Sequence, residues 1–401
     1  MKVLFLTMAK INSFSDRGIY TDLLRKFYEE GHDVYAVCPI ERREKKKTEV
    51  KKEKQGTILN VQTLNLQKTN IVEKGFGTLA IEYQFLSAIK KHFSHVKFDV
   101  VIYSTPPITF SKVINFVKKR DKAYSYLLLK DIFPQNAVDM KMLKENGILH
   151  KIFVKKEQKL YAISDTIGCM SKANKKFILD HNPSINSGKV EVNPNTIEPS
   201  VFNQNLEQKH AIKLKYNLPI DKKIFVYGGN LGKPQGIDFL LETIKSTKNE
   251  NVFFLIVGSG TEYNRTEKWF QNNNPKNAIL LAGLPKQDYD LLLHACDVGL
   301  IFLHKDFTIP NFPSRLLSYL EMKMPIITAT DSNTDIGNVI EENNCGYKVL
   351  SGDTKNMLIA IEKMISDDEN YNRMKENAWN LLQKEYKVER SYKLIKEKIN
   401  V

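Results

Sequence analysis

A glycine-rich turn between a strand and a helix is the segment of this chain best suited to chemistry. The sequence FVYGGNLGKPQG, residues 225–236, runs from an apolar strand through a turn that carries Lys233 into the helical pattern IDFLLETI. Glycines let a backbone approach a diphosphate closely, and the following helix offers unpaired N–H groups and the positive end of its dipole. The pattern predicts a phosphate site, and its alternative is a tight turn that binds nothing.

Two further groups of polar residues follow strand patterns in the first half of the chain. Asp16, Arg17 and Gly18 lie in the loop after the first apolar run, and Asp131 ends the run YSYLLLKD. Open α/β sheets place ligands at the carboxyl ends of their strands, where a carboxylate could accept a hydroxyl proton as a general base. The alternatives are structural, because Ser15 or Asp16 could cap a helix and Asp131 could cap a turn.

The strands and helices that would position these polar residues are indicated by short apolar runs that alternate with longer amphipathic segments. Such alternation predicts parallel strands that are covered by helices on both faces, and hence two doubly wound, Rossmann-like α/β domains. Besides the strand that begins at Phe225, the predicted strands are residues 2–8, 33–39, 99–105, 124–131, 165–171, 189–195, 252–260, 278–285, 298–303 and 325–330.

A chain of 401 residues is longer than one hydrophobic core usually spans. Prolines and polar residues between positions 195 and 222 predict a domain boundary there. We therefore expect an N-terminal domain over residues 1–200 and a C-terminal domain that begins at residue 201. Ligands are expected in a cleft that the two domains face.

The positive charge of the chain is concentrated in its first half. Residues 1–200 carry 34 Lys and Arg against 21 Asp and Glu, a net charge of +13 out of +14 for the whole chain. The densest run is ERREKKKTEVKKEK, residues 41–54. We interpret this domain as facing an anionic membrane, the alternative being a solvated loop with ordinary helix faces. Nucleic acid is not expected as a partner, because no nucleic-acid-binding motif is present.

The sequence predicts neither a metal site nor a disulfide framework. The four cysteines are scattered without paired spacing, which is typical of core residues in a reducing compartment. Asp288 and Asp290 lie in a helical pattern, where their acids favour the helix N-terminus over a metal. There is no signal sequence at the start and no apolar run of about 20 residues, so we expect a cytoplasmic protein.

Taken in order, several segments resemble the donor domain of family-4 glycosyltransferases, which have the GT-B fold. They are GGNLGKPQG, LIVGSGTE, LAGLPKQDYDLLLHACDVGLIFL and PSRLLSYLEMKMPIITATDSNTDIG. KDIFPQNAV is similar to a segment of bacterial capsule and O-antigen transferases, and EVNPNTIEP resembles the Pro-Asn interdomain segment of the family. The resemblance is greatest to the L-N-acetylfucosaminyl transferase branch.

This resemblance implies a retaining, metal-independent hexosyltransferase without a cofactor. It implies transfer from a UDP-sugar to an undecaprenyl-diphosphate-linked sugar at the inner face of the cell membrane. It further implies a C-terminal domain over residues 201–380 and a terminal helix over residues 381–401 that crosses back to the N-terminal domain.

The resemblance also assigns roles to individual positions. Asn230 and Gln235 stand where many members have Arg and Lys, which leaves Lys233 and Arg315 as the cations for the diphosphate. Gly18 matches the glycine of the loop near the donor phosphates, with Asp16 and Arg17 beside it. The remaining implied donor-binding residues are Gly229, Gly283, Ser314, Ser318, Glu321 and Asp335.

Three of these roles have alternatives. Ser318 replaces a glutamate that usually binds the ribose, so either Ser318 or Glu321 could serve. Arg315 at a helix N-terminus opposes the helix dipole, which a bound anion would offset, but it could also form a surface ion pair. Asp335 could cap a helix instead of contacting the donor.

Two other functions are compatible with the same sequence. A nonhydrolysing UDP-N-acetylglucosamine 2-epimerase would share the fold and need no acceptor. A basic lipid-binding or nucleic-acid-binding module with a defunct nucleotide fold would bind vesicles but release no UDP.

Overall fold

The computed structural model describes residues 1–65, 71–200 and 206–399, and within residues 71–76 it describes the backbone alone. The chain forms two compact units. One comprises Met1–Glu198 together with Lys387–Val401, and the other comprises Pro199–Tyr386.

The first unit is built on an eight-stranded sheet in the order β3-β4-β2-β1-β5-β6-β7-β8. All its neighbouring strands are parallel except β3 and β4, which form an antiparallel pair at one edge. The strands are β1 Lys2–Leu6, β2 Asp33–Glu41, β3 Glu49–Glu53, β4 Gly56–Thr63, β5 Val100–Ser104, β6 Tyr124–Leu129, β7 Thr166–Cys169 and β8 Val190–Val192. The helices are α1 Ile19–Glu29, α2 Ile71–His92, α3 Ser111–Asp121, α4 Gln135–Asp139, α5 Ile148–Ile163 and α6 Lys172–His181.

The second unit contains a six-stranded parallel sheet in the order β11-β10-β9-β12-β13-β14. Its strands are β9 Lys223–Asn230, β10 Val252–Ser259, β11 Ala278–Ala282, β12 Val298–Phe302, β13 Ile326–Thr330 and β14 Gly346–Leu350. Its helices are α7 Leu206–Lys215, α8 Ile237–Ser246, α9 Tyr263–Asn273, α10 Lys286–Leu293, α11 Arg315–Glu321, α12 Ile336–Glu342, α13 Thr354–Ser366 and α14 Asp368–Leu381. The predicted fold class, two Rossmann-like α/β domains, is confirmed.

The last helix, α15 (Val388–Ile399), belongs to the first unit. Val388, Tyr392 and Ile395 are buried in the core that also contains Phe27. The Tyr392 ring lies 5.0 Å from that of Phe27 in an edge-to-face contact. The sequence predicts boundaries at residues 200 and 380, whereas the contacts divide the chain after residue 198 and after residue 386.

The basic run of residues 41–54 is largely exposed, as in the solvated alternative to a membrane surface, but only part of it is a loop. Part of it is β3, which pairs with β4. Lys51 donates a hydrogen bond to the Asn12 carbonyl at 2.9 Å and forms an ion pair with Glu53 at 2.6 Å. Lys10 pairs with Glu44 at 2.5 Å. Several charges of the run are therefore neutralised locally.

Across the described ranges, none of the helices combines the length and the apolar character that crossing a membrane requires.

Candidate functional site

A pocket of about 330 Å³ lies at the carboxyl end of β9 in the second unit. From β9 the chain continues to β10 and β11 on one side of the sheet and then to β12, β13 and β14 on the other. Doubly wound sheets bind ligands where the strand order reverses in this way. The lining residues are Gly228, Gly229, Asn230, Gln235, Tyr289, Asn311, Pro313, Ser314, Arg315 and Ser318.

Arg315 supplies the positive charge of this pocket. One terminal nitrogen, Nη2, donates a hydrogen bond to Gln235 Oε1 at 2.6 Å, and the guanidinium carbon lies 4.2 Å from the centre of the Tyr227 ring. The other terminal nitrogen, Nη1, is buried and has no hydrogen-bond partner within the described residues. Leaving a buried charged donor unpaired is costly, so an anionic acceptor would satisfy it.

Gln235 holds Arg315 in place. It ends a short 3-10 helix, Lys233–Gln235, that directly follows the glycine-rich turn. Its side chain is almost fully buried, and its Oε1 accepts the hydrogen bond from Arg315. The Gln235 side chain therefore accepts a hydrogen bond from Arg315. It does not replace the cation that the resemblance expects at this position.

The glycines of β9 leave room for the pocket. A Cβ on Gly228 would overlap the Tyr289 hydroxyl oxygen and would lie 2.6 Å from Tyr289 Cζ. Gly229 has φ +115°, a conformation that other residues rarely adopt. The backbone of Gly228–Gly229 can therefore form the floor against which a ligand and Tyr289 both lie.

Tyr319 fixes helix α11 against the sheet beneath the pocket. Its hydroxyl lies 3.2 Å from the Val226 and Leu300 carbonyl oxygens and accepts a hydrogen bond from the Gly228 N–H at 3.2 Å. Burial raises the pKa of Tyr319 to about 12, and burial also raises the pKa of Tyr289 well above its ordinary value. Both hydroxyls are therefore neutral donors at physiological pH, next to a permanently charged guanidinium.

In the first unit, the loop of residues 16–18 leads into α1. Gly18 occupies the N-cap position, and its N–H donates to Asp22 Oδ1 at 3.2 Å. Asp16 Oδ2 accepts from the Ser13 N–H at 3.2 Å, and Arg17 Nη2 donates to the Glu198 carbonyl at 3.4 Å. The alternative of a helix cap at Ser15 or Asp16 is wrong, because the helix begins at Ile19.

Asp131 follows β6 at the carboxyl end of the first sheet. Both of its carboxylate oxygens lie within reach of Asn136 Nδ2, at 2.8 and 2.9 Å. Its backbone N–H donates to Thr105 Oγ1 at 3.2 Å. Burial raises the pKa of Asp131 above its ordinary value. A carboxylate with a raised pKa is better matched to proton acceptance near neutral pH than an ordinary one.

Lys130, the neighbour of Asp131, is a second perturbed group in this part of the first unit. Burial lowers the pKa of Lys130 to about 7, and its Nζ lies 3.4 Å from the Asn193 carbonyl oxygen. Sequence reasoning missed it, although its place beside a strand-end aspartate was a usable signal.

Much of the second unit is similar in sequence to a known family. Residues 208–380 match the family described as glycosyl transferases group 1. The pocket with Arg315 lies wholly within the matched residues.

Two relatives are similar in sequence. The probable glycosyltransferase WbjE of Pseudomonas aeruginosa is 23% identical over 293 residues, which cover 73% of this chain and 71% of that protein. The putative colanic acid biosynthesis glycosyl transferase WcaI of Escherichia coli K12 is 29% identical over 134 residues, 33% of this chain and 32% of that protein.

Solved structures share the fold over the whole chain. HepE of Anabaena, in complex with UDP, has a TM-score of 0.71 with 12% identity and covers 100% of both chains. Sucrose-phosphate synthase of Thermosynechococcus elongatus has a TM-score of 0.73 with 15% identity, covering 99% of this chain and 98% of that one. The chain therefore has the GT-B fold of its predicted class.

Six residues predicted for the donor site line the pocket of the second unit together. They are Gly229, Asn230, Gln235, Ser314, Arg315 and Ser318. Four others of the second unit lie outside this lining, as do Asp16, Arg17 and Gly18 of the first unit. Lys233 is exposed at the start of the 3-10 helix, and Gly283 is exposed just after β11.

Glu321 and Asp335 also lie outside the pocket lining. Glu321 is buried, and its Oε1 accepts a hydrogen bond from the Ser200 N–H at 2.8 Å. Asp335 precedes α12 without a capping hydrogen bond from its side chain.

The acids of the Asp288–Asp290 segment form ion pairs. Asp288 lies 3.8 Å from Lys215 Nζ, and Asp290 lies 2.6 Å from Lys286 Nζ. Tyr289 between them lines the pocket. Where side chains are described, no group of three or more His, Cys, Asp and Glu residues is arranged to hold a metal ion.

Sequence reasoning missed the tyrosines of this site. Tyr227 lies inside the glycine-rich segment and Tyr289 inside the acidic segment. Neither tyrosine was predicted to belong to the site. Their contact with Arg315 and Gly228 joins positions about 60 to 90 residues apart along the chain, which a local pattern does not reveal.

Proposed function

We propose that this protein transfers a sugar from a UDP-sugar to a lipid-linked acceptor. The observation that carries the proposal is Arg315, whose buried Nη1 lacks a partner within the described residues, beside a glycine floor within the residues that match group 1 glycosyl transferases. A diphosphate oxygen would satisfy that nitrogen. The donor type is supported by HepE structures with UDP and with UDP-glucose.

In this reaction the diphosphate leaves as negative charge builds on it, and Arg315 stabilises that charge. The neutral hydroxyl of Tyr289 lies at the same pocket as a further polar group. Ser314 and Ser318, which line the pocket, bind the nucleotide in this proposal, and Lys233 is the second candidate cation. Asp131 accepts the proton of the acceptor hydroxyl. We propose retention of configuration without a metal, following the resemblance to family-4 enzymes.

The biological role we propose is capsular polysaccharide or O-antigen assembly. WcaI is named for colanic acid biosynthesis, which is a polysaccharide pathway. We propose L-N-acetylfucosamine as the sugar and an undecaprenyl-diphosphate-linked sugar as the acceptor, at the inner face of the membrane. The positive first unit supports an anionic surface as a partner.

A panel of nucleotide sugars tests the donor, with binding measured as a thermal shift and by calorimetry. We expect UDP and one UDP-sugar to bind, and we expect UDP release to require an acceptor. Conversion of a UDP-sugar without any acceptor would instead indicate an epimerase. Binding of no nucleotide at all would overturn the proposed donor site.

A further inference from the structure

A cluster of exposed apolar side chains lies between α4 and the first turns of α5. We name it the Met142–Ile152 patch. Met142, Ile148, Leu149 and Ile152 are 73%, 81%, 60% and 43% exposed, respectively. Ile148, Leu149 and Ile152 are spaced i, i+1 and i+4, so they project from one side of the helix. Isolated apolar side chains are common on surfaces, but several large exposed ones within one short segment indicate an interaction site.

Lysines flank the patch residues along the sequence. Residues 141–159 contain six lysines and two glutamates, and one of the glutamates, Glu157, is buried. The exposed members of the lysine set are Lys141, Lys144, Lys151, Lys155 and Lys159. In the part of the chain that the structure describes, none of these five forms an ion pair with an acidic residue. Their charges remain available to an anionic partner.

We propose that the Met142–Ile152 patch inserts into the headgroup region of an anionic lipid bilayer. This inference rests on the proposed function, in which the acceptor is attached to a lipid. Apolar side chains on one face with flanking lysines match the two components of a membrane interface, its acyl boundary and its negative surface. The charge complementarity distinguishes this occupant from a second copy of the chain, which would bring the same lysines face to face.

The inner side of α5 connects the patch to the proposed base. The Phe153 ring packs edge-to-face against Phe133 with 5.0 Å between the ring centres. Phe133 lies two residues after Asp131 in the loop that follows β6. Docking of the patch therefore holds the Asp131 loop close to the surface from which a lipid-linked acceptor emerges.

The basic run of residues 41–54 is less suited to this task. Its lysines and arginines include Arg43 and Lys51, which pair with Glu41 and Glu53, and its exposed large apolar side chain is Val50. The structure thus favours the Met142–Ile152 patch over the run that is densest in charge.

Co-sedimentation with vesicles tests the proposal, using the full-length protein with phosphatidylglycerol-containing and purely phosphatidylcholine vesicles. The double substitution Ile148→Gln, Leu149→Gln should lower the partition coefficient on anionic vesicles at least tenfold. The matched control is Leu214→Gln with Leu350→Gln, two exposed leucines of the second unit, and it should bind as wild type does. Lys151→Gln with Lys155→Gln should weaken binding to the anionic vesicles and make it less salt-dependent.

Three outcomes would overturn the patch as a lipid surface. The first is wild-type vesicle binding by the Ile148→Gln, Leu149→Gln protein. The second is equal binding of the unmodified protein to neutral and anionic vesicles. The third is a dimer in sedimentation velocity that the same double substitution dissociates, which would assign the patch to a second copy.

The proposed function can fail independently of the patch. UDP affinity, measured by calorimetry on the same variants, should be unchanged by the patch substitutions. Turnover of a short-chain, water-soluble acceptor should also be unchanged, whereas turnover of the acceptor in vesicles should fall. Vesicle binding without any UDP binding would reject the donor site and leave the surface assignment standing.

Discussion

At the scale of single residues, the site depends on one arginine that is held by an amide. Gln235 stands where the resemblance expects a cation, and the structure gives it a different task, because its Oε1 accepts from Arg315 Nη2 at 2.6 Å. Tyr227 lies against the guanidinium on its ring face, 4.2 Å away. Arg315 is thus oriented before any ligand arrives, and its Nη1 remains for an anion.

Removal of this arginine should weaken nucleotide binding. We expect Arg315→Ala to reduce UDP affinity by about 1.5 to 3 kcal/mol, the range for a hydrogen bond to a charged group. Arg315→Lys should recover part of the loss, since an ammonium lacks the forked geometry that reaches both Gln235 and a phosphate. Isothermal titration calorimetry with UDP measures both.

Lys233→Ala is the matched comparison, because it removes a cation that is exposed outside the pocket lining. A smaller loss than for Arg315→Ala is expected. Equal affinity of the wild type and Arg315→Ala would remove Arg315 from the site.

Asp131 should set the acid limb of the activity profile. Burial raises the pKa of its carboxyl group, and the protonated form cannot accept a proton. Activity should therefore fall as pH decreases through a pKa above the ordinary value for aspartate, which is about 3.9. Measurement of kcat/KM against pH locates this limb.

Asp131→Asn should lower kcat/KM by about 100-fold or more, as expected for loss of a general base, and should abolish the limb. Its UDP affinity should stay the same, since Asp131 belongs to the first unit and the pocket to the second. An unchanged pH profile in this variant would assign Asp131 a structural role.

At the scale of elements, the end of β9 and helix α10 pack so closely that only a glycine fits at position 228. A Cβ on Gly228 would overlap the Tyr289 hydroxyl, and Gly228 is also held through its N–H by Tyr319. The strand therefore cannot shift easily to relieve the overlap, so Tyr289 must move into the pocket.

Gly228→Ala should therefore weaken UDP binding more than it destabilises the protein. We expect a loss of about 1 to 3 kcal/mol in affinity, because Tyr289 can relieve the overlap in the empty pocket, so that the usual cost of overpacking appears when the ligand needs that space. Adding Tyr289→Ala should restore space and part of the affinity. Calorimetry with UDP on the single and double variants measures this coupling, and the absence of any recovery would mean that the backbone of β9 had moved instead.

The strands show how far local pattern predicts structure. Runs such as residues 252–260 and 298–303 are apolar because both faces of a parallel strand are buried, and they fold as β10 and β12. The strands β3 and β4 were both missed. EVKKE in β3 is an exposed edge strand without apolar alternation, whereas β4 is mostly buried.

Local sequence pattern also predicts only part of the candidate site. Glycines and prolines marked its turns, but the tyrosines around Arg315 depend on contacts between distant segments.

At the scale of the whole molecule, the chain ends in the unit where it began. Helix α15 packs against α1, and Lys26 of α1 forms an ion pair with Glu389 at 2.8 Å. Tyr392 contributes a buried ring next to Phe27 and a hydroxyl 3.1 Å from His32 Nε2. The first unit is therefore closed by residues from both ends of the described chain.

Tyr392→Ala should destabilise the first unit while leaving the donor pocket intact. Loss of a large buried aromatic side chain costs about 3 to 5 kcal/mol, and here it also removes one hydrogen-bond partner of His32. Chemical denaturation followed by circular dichroism should show an earlier transition for this variant than for Lys393→Ala, which alters an exposed side chain on the same helix. UDP affinity at a temperature below that transition should match wild type, because every lining residue of the pocket belongs to the second unit. A parallel loss of UDP affinity would show that the donor pocket depends on the first unit for its stability.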